Sequence, residues 1–139
     1  MAYRILHGQD GSEGAFKALG QAIRLAKALG AELHMISVEE LPHYAGTIGE
    51  VVEEQEAANH RFAEAIARSR EMASAEGVEL HSHVIVGHEV KSIVEFIRTH
   101  GFDLLVIGFM GHSAIYDRVM GSTCQSLVRL APCSVMVVK

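Results

Sequence analysis

Apolar runs of strand length alternate with stretches of helical period along this chain. "YRILHG" (Tyr3 to Gly8) is the first run, and "QDGSEG" ends it with a turn whose Ser12 is placed to cap a following helix through its hydroxyl. From Glu13 to Leu29, Phe16, Leu19, Ala22, Ile23, Ala26 and Leu29 recur at spacings of three and four. That period gives a helix one apolar face, and Gly30 follows where a left-handed terminating residue is wanted. A second strand is expected over Glu32 to Val38. "LPHYAGTIGE" carries a proline and two glycines and is expected to be irregular, before a long helix from about Val51 to Ala75 closed by Gly77. "VELHSHVIVG" reads as the third strand, Glu89 to His100 as a short helix closed by Gly101, and "FDLLVIG" as the fourth strand. Ser122 to Leu130 supplies a last helix and "CSVMVVK" a fifth strand.

Strict β-α alternation with near-continuous apolar strands predicts an α/β fold: a three-layer, doubly wound parallel sheet of five strands with helices on both faces. In such sheets a ligand sits beyond the carboxyl ends of the strands, where the strand order reverses. The residues to examine are therefore strand ends: Gln9 and Asp10, Val38 and Glu39, Gly87 and His88, and the stretch from Ile107 and Gly108 to Ser122. No internal repeat or linker divides the chain, so a single domain over residues 1–139 is expected.

The segment "GFMGHSAIYDRVMGST" (Gly108 to Thr123) carries the strongest chemical signal. Glycine lets backbone approach a ligand closely, and the unpaired amides of a helix's first turn point at negative charge. Gly108, Gly111 and Gly121 thus deliver free amides, with the hydroxyls of Ser122 and Thr123, to the start of the last helix. That arrangement predicts an anion site, to which Arg118 adds charge if it folds back over the loop. The G-x-x-x-x-G-K-[ST] phosphate loop and the G-x-G-x-x-G dinucleotide fingerprint are both absent from the sequence.

The spacing G-x-x-G-x9-G-[ST], formed by Gly108, Gly111, Gly121 and Ser122, resembles the nucleotide-binding signature of the universal stress protein family. "DGSEGAFKALGQAIRLAKALGAELHMISV", "FDLLVIG" and "GSTCQSLVRLAPCSVMVVK" resemble further segments of that family, so the likeness covers nearly the whole chain. It implies a Rossmann-like sheet of order 3-2-1-4-5, ATP or another adenine nucleotide as ligand, with or without Mg2+, a homodimer, and a role in the stress response. By position it assigns Asp10 to the ribose and adenine, Val38 to the adenine pocket, Gly87 to the loop closing over the base, and Gly108, Gly111, Gly121 and Ser122 to the phosphates. This sequence departs from the family pattern at Gln9, at Phe109 and Met110, and at His88-Glu89.

Each of these residues also has a structural reading. Asp10 suits a turn and helix cap, and the glycines suit ordinary turns. Phe109 fits either packing or shielding of phosphates. Nine histidines are present. His112 and His88 fall on loops at the expected ligand end, where an imidazole that bonds phosphate strengthens binding as pH falls toward about 6.5. His81 and His83 share one strand face, an arrangement a metal can exploit. With no third ligand beside them, two solvated histidines on an exposed edge strand is the preferred account, and no metal site is expected.

Charge and composition narrow the function. There are 12 Lys plus Arg against 17 Asp plus Glu, with no basic cluster to match a row of phosphates, so nucleic acid is not an expected partner. No apolar run approaches the roughly 20 residues that span a bilayer, and "MAYRILHG" lacks the build of a signal peptide. A cytoplasmic protein that does not enter membranes is expected. Cys124 and Cys133 read as buried thiols, with Cys124 a reactive candidate only through its place at a helix start. Asp117, His112 and Arg118 are the only catalytic types close in sequence to the phosphate loop. Binding with little or no catalysis is therefore the expected function, a weak ATPase being left open. The alternatives are a nucleotide-independent dimeric adaptor and a binder of AMP or cyclic AMP in the same pocket. The apolar terminal strand, Val135 to Val138, lies at a sheet edge in the implied order, and pairing with its twin would cover it; the protein partner stays unnamed.

Overall fold

A computed structural model describes residues 2–40, 48–110 and 120–139. The elements follow the expected order: β1 (Arg4–Gly8), α1 (Glu13–Leu29), β2 (Glu32–Glu40), α2 (Ile48–Ala75), β3 (Leu80–Gly87), α3 (Glu89–His100), β4 (Leu104–Gly108), α4 (Ser122–Leu130) and β5 (Ser134–Val138). The five strands form one parallel sheet of order β3-β2-β1-β4-β5. Its alternating side chains feed two cores. Ile5, Leu33, Met35, Leu80, Leu104 and Val106 pack against the buried face of α1 and against α2, while Leu6, Ile36, Val38, Leu105 and Ile107 pack against α3 and α4.

Local chemistry sets the helix ends. Ser12 Oγ accepts from the Ala15 amide at 3.1 Å, and Gly30 closes α1 in the left-handed conformation at φ 63°, where a side chain would be strained. Two boundaries differ from the sequence reading. α2 begins at Ile48 rather than Val51, with Gly49 taken into its first turn. β2 runs two residues past Val38, because the ladder pairs Glu39 with Val86 and Glu40 with Gly87. Backbone pairing, not side-chain polarity, decides where that strand stops.

The account of His81 and His83 as an isolated solvated pair is corrected. The parallel register sets His34 of β2 opposite His81, and His34 stacks on both rings, with centroids 4.6 Å from His81 and 5.2 Å from His83. Glu32, on the same face of β2, joins them through its 2.6 Å contact with His34. Residues so far apart in sequence meet only through the strand register.

Candidate functional site

The order β3-β2-β1-β4-β5 reverses between β1 and β4, and a cavity of about 510 Å³ opens at their carboxyl ends. Its walls include Gly8, Gln9 and Asp10 after β1, Ile36 and Val38 to Glu40 of β2, Ile107 and Gly108 of β4, Met110, and Gly121 to Cys124 at the start of α4. Asp10, Val38, Ile107, Gly108, Gly121, Ser122 and Thr123 are thus gathered around one space. Gly87 ends β3 opposite Glu40 and is not among the cavity walls. Gly111, His112, Asp117 and Arg118 lie outside the described residues.

The β1–α1 turn is held by its own polar groups. Asp10 Oδ1 accepts from the Ser12 amide at 2.9 Å and from the Ser12 hydroxyl at 2.6 Å, so the turn-and-cap reading of Asp10 is realised while the residue also borders the cavity. Gln9 is buried. Its Oε1 accepts from the Gly11 amide at 2.8 Å, and its Nε2 donates toward Ser69 Oγ of α2 at 3.4 Å. Its main chain is pinned to β2 as well, the amide donating to Ile36 O and the carbonyl accepting from the Ser37 hydroxyl. A polar residue is therefore accommodated at this strand end because both its amide oxygen and its amide nitrogen find a partner.

Three helix N-termini with described caps meet this rim, and they differ in how their amides are used. At α1, Ser12 is the cap. At α3, the Glu89 amide donates to Glu40 Oε1 at 2.8 Å, and His88 Nδ1 lies 3.4 Å from the other oxygen of that carboxylate. At α4, the capping position is Gly121, which has no side chain to offer, and the first turn accepts no side-chain cap. Exposed first-turn amides and the positive end of the helix dipole are the elements of an anion site. That turn, with the hydroxyls of Ser122 and Thr123, faces the cavity. The loop entering it is tied down at both described ends: Phe109 donates its amide to Val138 O at 2.9 Å, and Gly121 donates to Phe109 O at 3.1 Å.

The cavity is also divided chemically. On the β2 side stand Glu39, Glu40 and Glu89, with Arg61 of α2 paired to Glu39 at 2.6 Å. Ile36, Val38, Ile93 and Ile107 give it an apolar floor, and α4 supplies donors on the far side. Sequence reading missed Glu40, Arg61 and Phe62. Nothing in the spacing of the long helix points two of its residues at the rim, and only the fold turns them over it. Of the two residues that could fill the loop, Met110 borders the cavity, whereas the Phe109 ring receives Lys139 Nζ at 5.4 Å from its centroid and is not a cavity wall. Phe109 thus has a packing contact outside the cavity. Cys124 is buried at the cavity floor, where burial pushes its thiol up and opposes the thiolate that reactivity requires. Among the described residues no helix is long and apolar enough to cross a membrane.

Comparison with known proteins agrees with this geometry. The chain is 30% identical over 138 residues to a universal stress protein of Methanocaldococcus jannaschii, a match spanning 98% of this chain and 81% of that one. The solved structure of UspA from Lactobacillus plantarum superposes with a TM-score of 0.83 at 26% identity, covering 99% of this chain and 97% of the other. A universal stress protein solved in complex with cAMP gives 0.76 at 25% identity, covering 99% and 97%. The model of the universal stress protein family matches residues 1–139 from end to end, and by that match this chain belongs to the universal stress protein family.

Proposed function

We propose that the chain binds an adenine nucleotide, ATP in the first place, in the cavity between β1 and β4, and that its loaded and empty forms differ in what they associate with. The observation that carries this reading is the α4 N-terminus, which lacks a side-chain cap and faces the cavity at the point where the strand order reverses. Ser122 and Thr123 hold the phosphates by backbone amides and hydroxyls, Gly121 leaves their approach clear of a side chain, and Gly111 and His112 of the same loop join them. Asp10 takes the ribose hydroxyls. Val38 and Ile107 flank the base, while Gly87, at the end of β3 and away from the cavity walls, makes no contact with it in this reading. A cavity of this size suits a nucleotide. The relative whose structure holds cAMP adds support for an adenine ligand.

The described carboxylates around the cavity are engaged with protein partners and are not arranged as a dedicated metal cage. Asp10 accepts from Ser12, Glu39 pairs with Arg61 and Glu40 accepts from the Glu89 amide. A Mg2+ ion, where one takes part, arrives held by the phosphates and keeps most of its waters. The same arrangement favours binding over hydrolysis. A homodimer formed through the β5 edge, Val135 to Val138, belongs to this reading, since among the described residues β5 ends the sheet with no strand on its outer side.

Thermal unfolding and titration calorimetry with ATP, AMP and cAMP, each with and without Mg2+, test the proposal. A rise in Tm that grows with ligand concentration is expected, because a ligand that binds only the folded state stabilises it. No shift with any of the three at millimolar concentration would overturn it and leave the nucleotide-independent adaptor. A larger response to cAMP or AMP than to ATP would move the ligand assignment within the same pocket. Sedimentation of the purified chain as a monomer at micromolar concentration would remove the dimer.

A further inference from the structure

The amino end of the sheet, remote from the cavity, holds a second concentration of chemistry. Glu32 and His34 of β2 and His81 and His83 of β3 project from the α3-facing side, beneath Phe96 and Phe102. His34 Nε2 lies 2.6 Å from Glu32 Oε1, and its Nδ1 lies 2.9 Å from His83 Nε2. One donor atom from each of Glu32, His34 and His81 lies within 4.8 Å of the other two. We infer that Glu32, His34 and His81 bind a divalent transition-metal ion of the Zn2+ class, with His83 positioning the His34 ring.

Donor type argues for that class of ion. Two imidazole nitrogens and one carboxylate oxygen suit Zn2+, Co2+ or Ni2+, whereas Mg2+ and Ca2+ take oxygen ligands. Three protein ligands leave the fourth tetrahedral position to water. The outer shell is already in place. With the metal on Nε2, the hydrogen of the neutral His34 ring sits on Nδ1 and is donated to His83 Nε2, the kind of second bond that fixes a ligating histidine's tautomer and orientation. Before metal binds, the hydrogen sits on Nε2 and is donated to Glu32, and His83 donates to Nδ1. The exchange moves hydrogens between ring nitrogens and requires no change in total charge on the protein.

The ligands stand on paired strands, which hold them more precisely than loops do. Arg4 Nη1 shares the same Glu32 oxygen at 3.0 Å and is itself anchored by its Nε bond to Gly101 O and by the Phe102 ring, so it steadies the carboxylate while the second carboxylate oxygen stays within the residue's donor capacity. Access is open: the side chains of His81 and Glu32 are 39% and 36% exposed, and that of His34 is 12% exposed. A bound ion spans β2 and the edge strand β3, and so clamps the sheet's edge at the end opposite the cavity.

The test uses the tag-free full chain. Zn2+ calorimetry should show one site, and loading with Co2+ should give the visible absorption of a tetrahedral centre. His81→Gln, at an exposed edge position, should abolish both, and Glu32→Gln should weaken both. His83→Phe should lower affinity by about 10- to 100-fold and shift the Co2+ spectrum, as loss of an outer-shell partner does. Far-ultraviolet circular dichroism verifies that each variant is folded. Absence of stoichiometric Zn2+ binding in the parent, or equal binding in parent and the Glu32→Gln/His81→Gln double variant, overturns the inference. The ATP response of these variants reports separately on the nucleotide reading, which does not depend on this site.

Discussion

A Cβ placed on Gly108 would stand 2.9 Å from the carbonyl oxygen of Gly14, so the end of β4 and the first turn of α1 touch backbone to backbone. Gly14 is equally confined from the other side, since a Cβ there would lie 2.6 Å from Met110 O. The first glycine of the nucleotide signature therefore has a packing duty as well as any duty toward a ligand. The atoms in the way are main chain, which a flexible side chain's movement cannot relieve. Gly108→Ala is expected to cost about 1–3 kcal/mol, the range for forcing extra atoms into a packed interior, and to lower Tm accordingly. Denaturant unfolding of the variant in the absence of nucleotide measures this, and a parent-like midpoint would show that the two backbones can part at little cost.

Asp10 has two roles to separate, and the geometry shows how. Its Oδ1 supports Ser12, which caps α1. Ser12→Ala removes the cap and is expected to cost about 0.5–2 kcal/mol of stability with little change in ATP affinity. Asp10→Asn keeps an acceptor oxygen for the turn but loses the carboxylate proposed for the ribose. Near-parental stability with weakened ATP binding is the expected outcome, read by thermal unfolding and calorimetry on the same samples. Equal ATP affinity in Asp10→Asn and parent would confine Asp10 to the turn.

Most of the frame was legible in the residues, and the gaps have a common cause. Alternation of apolar strands with 3.6-period helices yields the element order. α1 was bounded correctly because Ser12 and Gly30 mark its ends chemically. What escaped depends on partners distant in sequence. Glu39 and Glu40 extend β2 because β3 lies alongside to pair with them, and Arg61 reaches the rim because α2 crosses above it. The contact of His34 with His81 and His83 is a matter of strand register, which no spacing within either strand reveals. At the site itself the reading went further, since glycine spacing and hydroxyls at a helix start are local signals. Glu40 as the cap of α3 was not local, and it was missed.

His7 makes stability depend on pH. The ring is fully buried on β1, and Nδ1 donates to Val106 O at 3.0 Å. Nε2 is buried with no hydrogen-bond partner among the described residues. Burial pushes its pKa down to about 4, against the smaller upward pulls of the Val106 bond and the Asp10 charge. The folded protein thus keeps His7 neutral at pH values where the unfolded chain, with an ordinary pKa of about 6.5, takes up a proton. Between these two values the unfolded state binds more protons, so stability falls as pH drops through 6.5 and the penalty levels off below about 4. The full effect is about 3 kcal/mol. His7→Leu removes this penalty, whatever its offset at neutral pH. Its stability relative to the parent should rise by about that amount from pH 7.5 to pH 4 in urea unfolding series; parallel curves would show that His7 is not the titrating group.

Gly121 allows the anion site to be tested with a change that favours the fold. Its backbone is extended, at φ −62° and ψ 151°, the ordinary conformation of a capping residue, so a side chain is compatible with it. Gly121→Asp supplies the carboxylate that α4 lacks. It hydrogen-bonds the first-turn amides and complements the dipole, which is worth a few tenths of a kcal/mol to about 1 kcal/mol of stability. The same carboxylate occupies the place proposed for the phosphates and repels them. The variant should therefore melt at or above the parent's temperature while losing ATP affinity, a combination that general damage to the protein cannot produce. The effect should be graded by ligand charge, largest for ATP and smallest for adenosine, because only the phosphate end meets the new charge. Retention of full ATP affinity in a stably folded Gly121→Asp protein would place the phosphates somewhere other than the α4 N-terminus.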